Sequence, residues 1–561
     1  MRAGLTSLPI ASLSLVACIG EPLVDEQSDD QTADFAPPTL EVTAPSRASF
    51  AETDTVVVRG VADAAAGLAE VTVNGQAAKL SDDGSFSITL ELPETITLLE
   101  TVATDETGNE IVDARAILAG TLVDQDTPVP EAMAAHMSEA AMSGLGEMVS
   151  GFANDTDWTA MARSQNPVAT SGSGCNEYQA YVTRVSHGAI EFSTRAATGG
   201  IRVTLRIRDL RVNGHIDWRA LCANGTTSYT ITADSYEMGG LVIPGFVRGA
   251  MAVTVQDVTS QFQNFRLNAS GVPGWIEDRF QDQARDYLAG MARDFVRQEV
   301  PPIAKDFLAD FTDNEVVFEV LGQPIHMQVR PTAMSWTDQG GTILLESSSY
   351  VPGLAGGVYL ANSQDRPRPG STGGSGLEIA VAADALNQLL AAIWHSGALE
   401  DALLPEEASA LGAILQADVS HASATMLLPP VVSFDGERGV SQVTLGDVLI
   451  EAFGPDGDSL VTFAISAEIE IEVGARADGG LRLRTGTSRV LAQVLDSAPG
   501  VRASGSAVSS LVELLVPQVG RQAQSLFDEI PVPGLPGGEI SSPVVLPHDG
   551  YLVAGGEISF D

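Results

Sequence analysis

VPGWIEDRFQDQARDYLAGMARDFVRQEVPPIAKDFLADF, residues 272–311, is the longest amphipathic run in the chain. Ile276, Phe280, Ala284, Tyr287, Leu288, Met291, Phe295 and Val296 recur in steps of three and four. That spacing lays one apolar stripe along a helix of about five turns. The opposite face carries Glu277, Asp278, Arg279, Asp282, Arg285, Asp286, Arg293 and Asp294, and is wet. Pro301 and Pro302 break or kink the helix. A shorter repeat through Ile303, Phe307, Leu308 and Phe311 follows. So long a stripe needs an equally long apolar partner, which is either ordinary core or a cavity wall.

The flanks supply that partner. From Tyr178 the period becomes two: in GGIRVTLRIRDL, Ile201, Val203, Leu205 and Ile207 alternate with Arg202, Thr204, Arg206 and Arg208. One face is buried and the other is arginine-lined. It is read either as a phosphate-recognising stripe or as a solvated face paired with neighbouring acids. SYTITADSYEM, FVRGAMAVTVQDV and TSQFQNFRLNA continue the alternation up to the helix. Ahead of them, 128–152 reads as a helix with Met133, Met137, Met142, Leu145, Met148 and Val149 inward, a flexible packing face.

The order then repeats. After the Gly/Pro/Ser-rich stretch 351–375, GLEIAVAADALNQLLAAIWHSGAL gives a strand and a helix striped by Leu386, Leu389, Leu390 and Ile393. Long strands follow. SAVSSLVELLVPQVGRQAQSLFDEI is a second amphipathic helix with Leu511, Leu514, Leu515, Val519 and Leu526 on one side.

The N-terminal part has another texture. Residues 1–17 precede Cys18 in MRAGLTSLPIASLSLVAC, which resembles a bacterial lipoprotein signal peptide. The resemblance implies acylation of Cys18 and anchoring to a membrane by lipid. Residues 18–38 are polar and acidic and read as a disordered tether. Residues 39–121 alternate in short β-runs with turns at Asn74-Gly75 and Asp83-Gly84, the pattern of a small antiparallel sandwich. "VTVNG … DGSFSITLEL … ATDETGNE" resembles bacterial immunoglobulin-like domains and reads as a spacer module. Asp105, Glu106 and Asn109 are read either as calcium ligands or as a solvated turn. Export would also place Cys175 and Cys222 under oxidising conditions, where they are expected to pair or else to remain buried thiols.

Composition narrows function. The 561 residues carry 73 Asp plus Glu against 30 Lys plus Arg, a formal charge of −43. That disfavours nucleic acid and anionic membrane surfaces as partners of the whole molecule. The seven histidines form no HExxH-type pair, and no Gly-x-Ser-x-Gly elbow or Walker-type loop occurs. The reading is therefore non-enzymatic, with no metal and no cofactor.

The tandem plan resembles the bactericidal/permeability-increasing protein family of the tubular lipid-binding (TULIP) superfamily. GGIRVTLRIRDLRVNGHIDW, LNASGVPGWIEDRFQDQARDYLAGM, GLEIAVAADALNQLLAAIWHSGAL and LFDEIPVPGLPG carry the likeness over about 130–561. It implies an α+β protein: two tandem TULIP-like domains, 128–350 and 376–561, each a curved antiparallel sheet wrapped around a long helix, behind the all-β immunoglobulin-like sandwich. It also implies acyl-chain lipids as partners, held by Ile276, Phe280, Tyr287, Leu288, Met291, Phe295, Leu386, Leu389, Leu390, Ile393, Leu511, Leu514 and Leu515. Both cysteines precede the long helix, so the family's own bridge is not carried over. Members that bind lipopolysaccharide are basic at the tip of the first domain, whereas this chain is acidic and has only Lys79 and Lys305 as lysines. The functional expectation is a lipid-binding envelope lipoprotein that stores or transfers lipid at the periplasmic or outer face of the outer membrane. The alternative is a structural or adhesive surface protein with a filled core.

Overall fold

The computed structural model describes residues 36–560, apart from 248–249, 299–301, 303–313, 321–322, 355, 363–365, 371–375, 401–407, 476–480, 502–503, 505–508 and 510–537. The chain is mostly β-structure, with curved sheets that are antiparallel except where Ser49–Ala51 runs parallel to Glu110–Ala119.

The first unit is a sandwich. Thr39–Ala44, Thr55–Asp63, Ser85–Glu91 and Lys79–Leu80 form one sheet. Ser49–Ala51, Glu110–Ala119, Ile96–Asp105, Leu68–Val73 and Gln76–Ala77 form the other. Inward-pointing Val58, Val71, Val73, Phe86, Leu99 and Ile117 fill the space between them, as period-two alternation requires.

This module is not the free spacer expected from sequence. Ile96, Leu98, Ala116 and Leu118 pack against Leu428, Val431 and Leu491 of the C-terminal half. Among them sits Asp447, fully buried, whose carboxylate pairs with the Arg47 guanidinium and accepts from the Ala48 and Ala116 N–H groups at 2.9 Å. Arg47 also donates 2.6 Å to Gln493 Oε1, which in turn accepts from the Ala114 N–H at 3.1 Å. A buried carboxylate is tolerable only when so paired. Sequence separation hides this contact: Arg47 and Asp447 are 400 residues apart.

The second sheet is built on two long strands, Gly200–Ala220 of 21 residues and Ala223–Val247 of 25. Asn176–Ser186 and Ile190–Ala197 pair with the first of these, and Ala169–Ser173 extends the sheet past Asn176–Ser186. Ala250–Gln263 pairs with the second and forms an edge. Register slips at Val182/Arg184 and Gly239/Leu241, the latter opposite Asp257 at φ 51°, bend the sheet. The helix Gly274–Gln298 packs on this sheet through Ile276, Phe280, Ala284 and Leu288.

Helices α1 (Glu139–Asp155) and α2 (Trp158–Ser164) pack on the same sheet. The helix expected over 128–152 is only half right. Val129–Ser138 is a strand, and Ser138 caps α1 by accepting from the Ala141 N–H at 3.3 Å. Its alanines favour a helix intrinsically, but both edges are claimed by neighbours, Gly340–Tyr350 and Leu377–Ala382. Tertiary pairing overrides propensity there, and Met133 and Met137 lie on the strand.

Through that strand the two halves share one seven-stranded sheet, ordered Asn314–Val320, Gln323–Thr337, Gly340–Tyr350, Val129–Ser138, Leu377–Ala382, Tyr551–Phe560, Gly538–His548. Within the stretch read as a linker, Val358–Ala361 pairs with Thr121–Asp124. Its VYLA core is strand-forming although the flanks are Gly- and Pro-rich.

Helix α3 spans Gly274–Gln298, and α4 spans Ala383–His395. Helix α5, Ala408–Leu415, covers the fourth large sheet, His421–Met426, Val440–Phe453, Ser459–Ala475 and Leu481–Ser497. The repeat Ile303–Phe311 and the second amphipathic helix over 506–530, except Ser509, lie outside the described residues.

Candidate functional site

Helix α3 begins where the Pro273 carbonyl accepts from the Ile276 N–H at 2.8 Å, with Glu277 complementing the positive helix end. Ile276, Phe280, Ala284 and Leu288 are buried on the second sheet, and Ile276 and Phe280 are completely enclosed. The Phe280 ring meets Tyr229 edge-on at 4.8 Å and Tyr178 at 6.1 Å. The Tyr178 hydroxyl donates to Gln283 on the same helix, and the Tyr287 hydroxyl reaches the Ala162 carbonyl at 3.3 Å. Burial pushes the Tyr178 and Tyr287 phenols up to about 12, so both are neutral donors at ordinary pH. This end of α3 is packed core.

One to two turns further on the packing loosens. A cavity of about 20 Å³, lined by Trp158, His187, Leu210, Tyr236 and Leu288 among others, lies beneath the helix. It is roughly the volume that a single water occupies. The Tyr236 hydroxyl is buried beside it with no partner at hydrogen-bond geometry. Burial raises its pKa against the smaller opposing pulls of the nearby Ser260 hydroxyl, which approaches it without good alignment, and of the Arg293 charge, so it stays a protonated donor. A ring ladder leads outward from Tyr236: Phe262 lies at 4.3 Å, and Phe265 lies 5.3 Å beyond it. The Arg285 guanidinium covers Phe265 at 5.0 Å. Val253, Val255, Val258, Phe262 and Phe265 are only partly buried, forming a half-covered apolar seam between α3 and the edge strand Ala250–Gln263.

The expected ligand-contacting residues thus separate. Ile276, Phe280, Tyr287 and Leu288 come together on one sheet. Met291 and Phe295 lie within α3, but their side chains are outside the described ones. In α4, Leu389 and Ile393 pack with Ile325 and Ala398, whereas Leu386 and Leu390 face Val432 and Phe434 in a different cluster. The stripe of α4 is thus shared between two adjoining clusters. Leu511, Leu514 and Leu515 lie outside the described residues, as does Cys18. Sequence reasoning did not single out Tyr229, Tyr236, Phe262 or Phe265. The inward alternation in SYTITADSYEM and TSQFQNF was the available signal.

Other expectations resolve locally. Cys175 and Cys222 form a disulfide between two hairpin turns. On the arginine-lined face, Arg206 pairs with Glu237 at 3.0 Å and Arg208 with Glu191 at 2.8 Å, which is the solvated, acid-paired arrangement. Asp105 accepts from the N–H and hydroxyl of Thr107 and from the N–H and side-chain amide of Asn109, at 2.8–2.9 Å. Burial raises its pKa, but these bonds together outweigh it and hold the carboxyl at about 2. These bonds close the turn Asp105–Asn109. Among the described residues no group of three or more His, Cys, Asp or Glu is placed to hold a metal, and no helix is long and apolar enough to cross a membrane.

No curated protein matches the chain. Among solved structures it aligns with a crystal structure of lipopolysaccharide binding protein at TM-score 0.43 and 12% identity, covering 77% of this chain and 99% of that one. Residues 38–120 match the family of domain B of glucodextranase, so this similarity covers the N-terminal sandwich alone.

Proposed function

We propose that the protein is a lipid-binding envelope lipoprotein with two TULIP-like units, and that the first holds an acyl-chain lipid along the seam between α3 and Ala250–Gln263. The observation that carries this reading is a continuous apolar path from the surface to a buried hydroxyl that lacks a well-formed hydrogen bond: Phe265, Phe262, then Tyr236 at the cavity. An acyl chain laid on the seam would cover Val253, Val255 and Val258, and the Tyr236 hydroxyl would donate to an ester or headgroup oxygen. Each methylene removed from water contributes about 0.8 kcal/mol, so no catalytic group is required. The cavity holds far less than one chain, so binding requires the C-terminal half of α3 to part from the edge strand. For the second unit the reading rests on the sequence repeat alone.

Acylated Cys18 would anchor the protein to the outer membrane. Replacing Cys18→Ser should release it into the soluble fraction, and continued membrane association would refute anchoring.

One observation favours the rival, a structural or adhesive protein with a filled core: Ile276 and Phe280 are completely enclosed. Native mass spectrometry of the purified protein, with organic extraction and a fluorescent acyl probe, separates the two. Co-purifying lipid and saturable uptake support the proposal, and absence of both leaves the filled core.

A further inference from the structure

Leu221 is the most exposed large apolar side chain among the described residues, 89% accessible. It occupies the two-residue turn between Gly200–Ala220 and Ala223–Val247, with φ 49° at Leu221 and 67° at Cys222. A turn with both central φ values positive suits Asn-Gly; a leucine there is sterically disfavoured. Nothing packs on Leu221 to offset that. An unfavourable backbone held at an exposed apolar residue points to a role outside the core.

Its surroundings say which role. The disulfide ties this turn to the one at Gly174–Cys175, and the Leu221 N–H donates to Asn176 Oδ1 at 3.0 Å, so the tip is rigid. A third loop reaches the same end: Asn268 pairs with Thr230, and Gly271 lies beside Thr227. It leads into Trp275, 42% exposed in the first turn of α3. Segments 171–176, 220–230 and 267–276 contain no charged residue, in a chain that is 18% charged with a net −43. The rim carries charges of both signs: Arg219 paired with Glu177 at 3.1 Å, and Asp217, Arg266, Glu277 and Asp278.

We infer that this end of the second sheet docks on the interface of a lipid bilayer, with Leu221 entering the acyl boundary and Trp275 at headgroup level. A chargeless tip meets no ion-desolvation penalty on approach, which a strongly acidic protein elsewhere would meet. A protein partner fits less well. Stable interfaces cover about 800 Å² per side, and two hairpin turns with one loop present only two large apolar side chains. The inference is independent of cargo, because the tip can dock whether or not lipid occupies the seam.

The test uses the full chain carrying Cys18→Ser, so that no acyl anchor contributes, and co-sedimentation with phosphatidylcholine vesicles. Binding is expected, and Leu221→Asp should weaken it about tenfold, the loss of one buried leucine. Leu221→Gly should weaken it similarly while leaving the melting temperature unchanged or higher, since glycine accepts positive φ. Absence of vesicle binding, equal binding by Leu221→Asp, or a lower melting temperature for Leu221→Gly would overturn the inference. So would binding only to envelope fragments that protease pretreatment abolishes, which would identify a protein partner.

Discussion

Helices α3 and α4 have the same kind of apolar stripe in sequence, yet they are held in opposite ways. The stripe of α3 is buried on one side only; Arg279, Asp282, Arg285 and Asp286 remain in water, and its edge-strand neighbours are half covered. Helix α4 is enclosed from several directions, and its polar residues are enclosed with it. Gln388, fully buried, accepts from the Ser349 N–H at 2.9 Å and donates to the Gln125 and Thr127 carbonyls at 3.0 and 2.8 Å. Asn387 accepts from the Val432 N–H at 2.7 Å. Helix α4 is a cross-brace between sheets, fixed by directional bonds that fail if it moves. Apart from the bonds of Tyr178 to Gln283 and of Tyr287 to Ala162, non-directional apolar contact holds α3, and sliding or lifting costs less when a ligand can replace that contact.

Phe280→Ala should have the largest effect, about 3–5 kcal/mol of stability by denaturant unfolding, because two tyrosine rings would face an empty volume. A loss below about 1 kcal/mol would mean that the packed end of α3 is as loose as the seam. Next, Gln388→Ala should cost about 2 kcal/mol by leaving buried carbonyls and an N–H unpaired, with no change in uptake of an acyl probe. Altered uptake would remove the distinction between brace and binding element. Phe262→Ser at the seam should cost only about 1 kcal/mol, the residue being half exposed, yet should reduce probe uptake severalfold. A cost equal to that of Phe280→Ala would show that the seam is ordinary core. The smallest effect belongs to Tyr236→Phe, expected within about 0.5 kcal/mol of the parent because the hydroxyl loses only its poorly aligned contact with Ser260. Its signature is weaker lipid retention, read by extraction and mass spectrometry.

Sequence by itself determined the local devices. Steps of three and four along 276–288 fixed which side of α3 is buried, since a helix has one geometry. Alternation did the same for Gly200–Ala220, and turn chemistry delimited the hairpins of residues 39–121. Tertiary structure alone decided what those faces meet. The strand at Val129–Ser138 and the clamp of Arg47 on Asp447 depend on partners 200 or more residues away, and the enclosure of α4 on several separate segments, none of which a local period encodes. The site divides in the same way: Ile276, Phe280 and Leu288 were legible from their spacing. The aromatic ladder from Tyr236 to Phe265 was not, because its first step is the cross-strand pair of Tyr236 and Phe262, set by a register between two strands that neither strand's own period encodes.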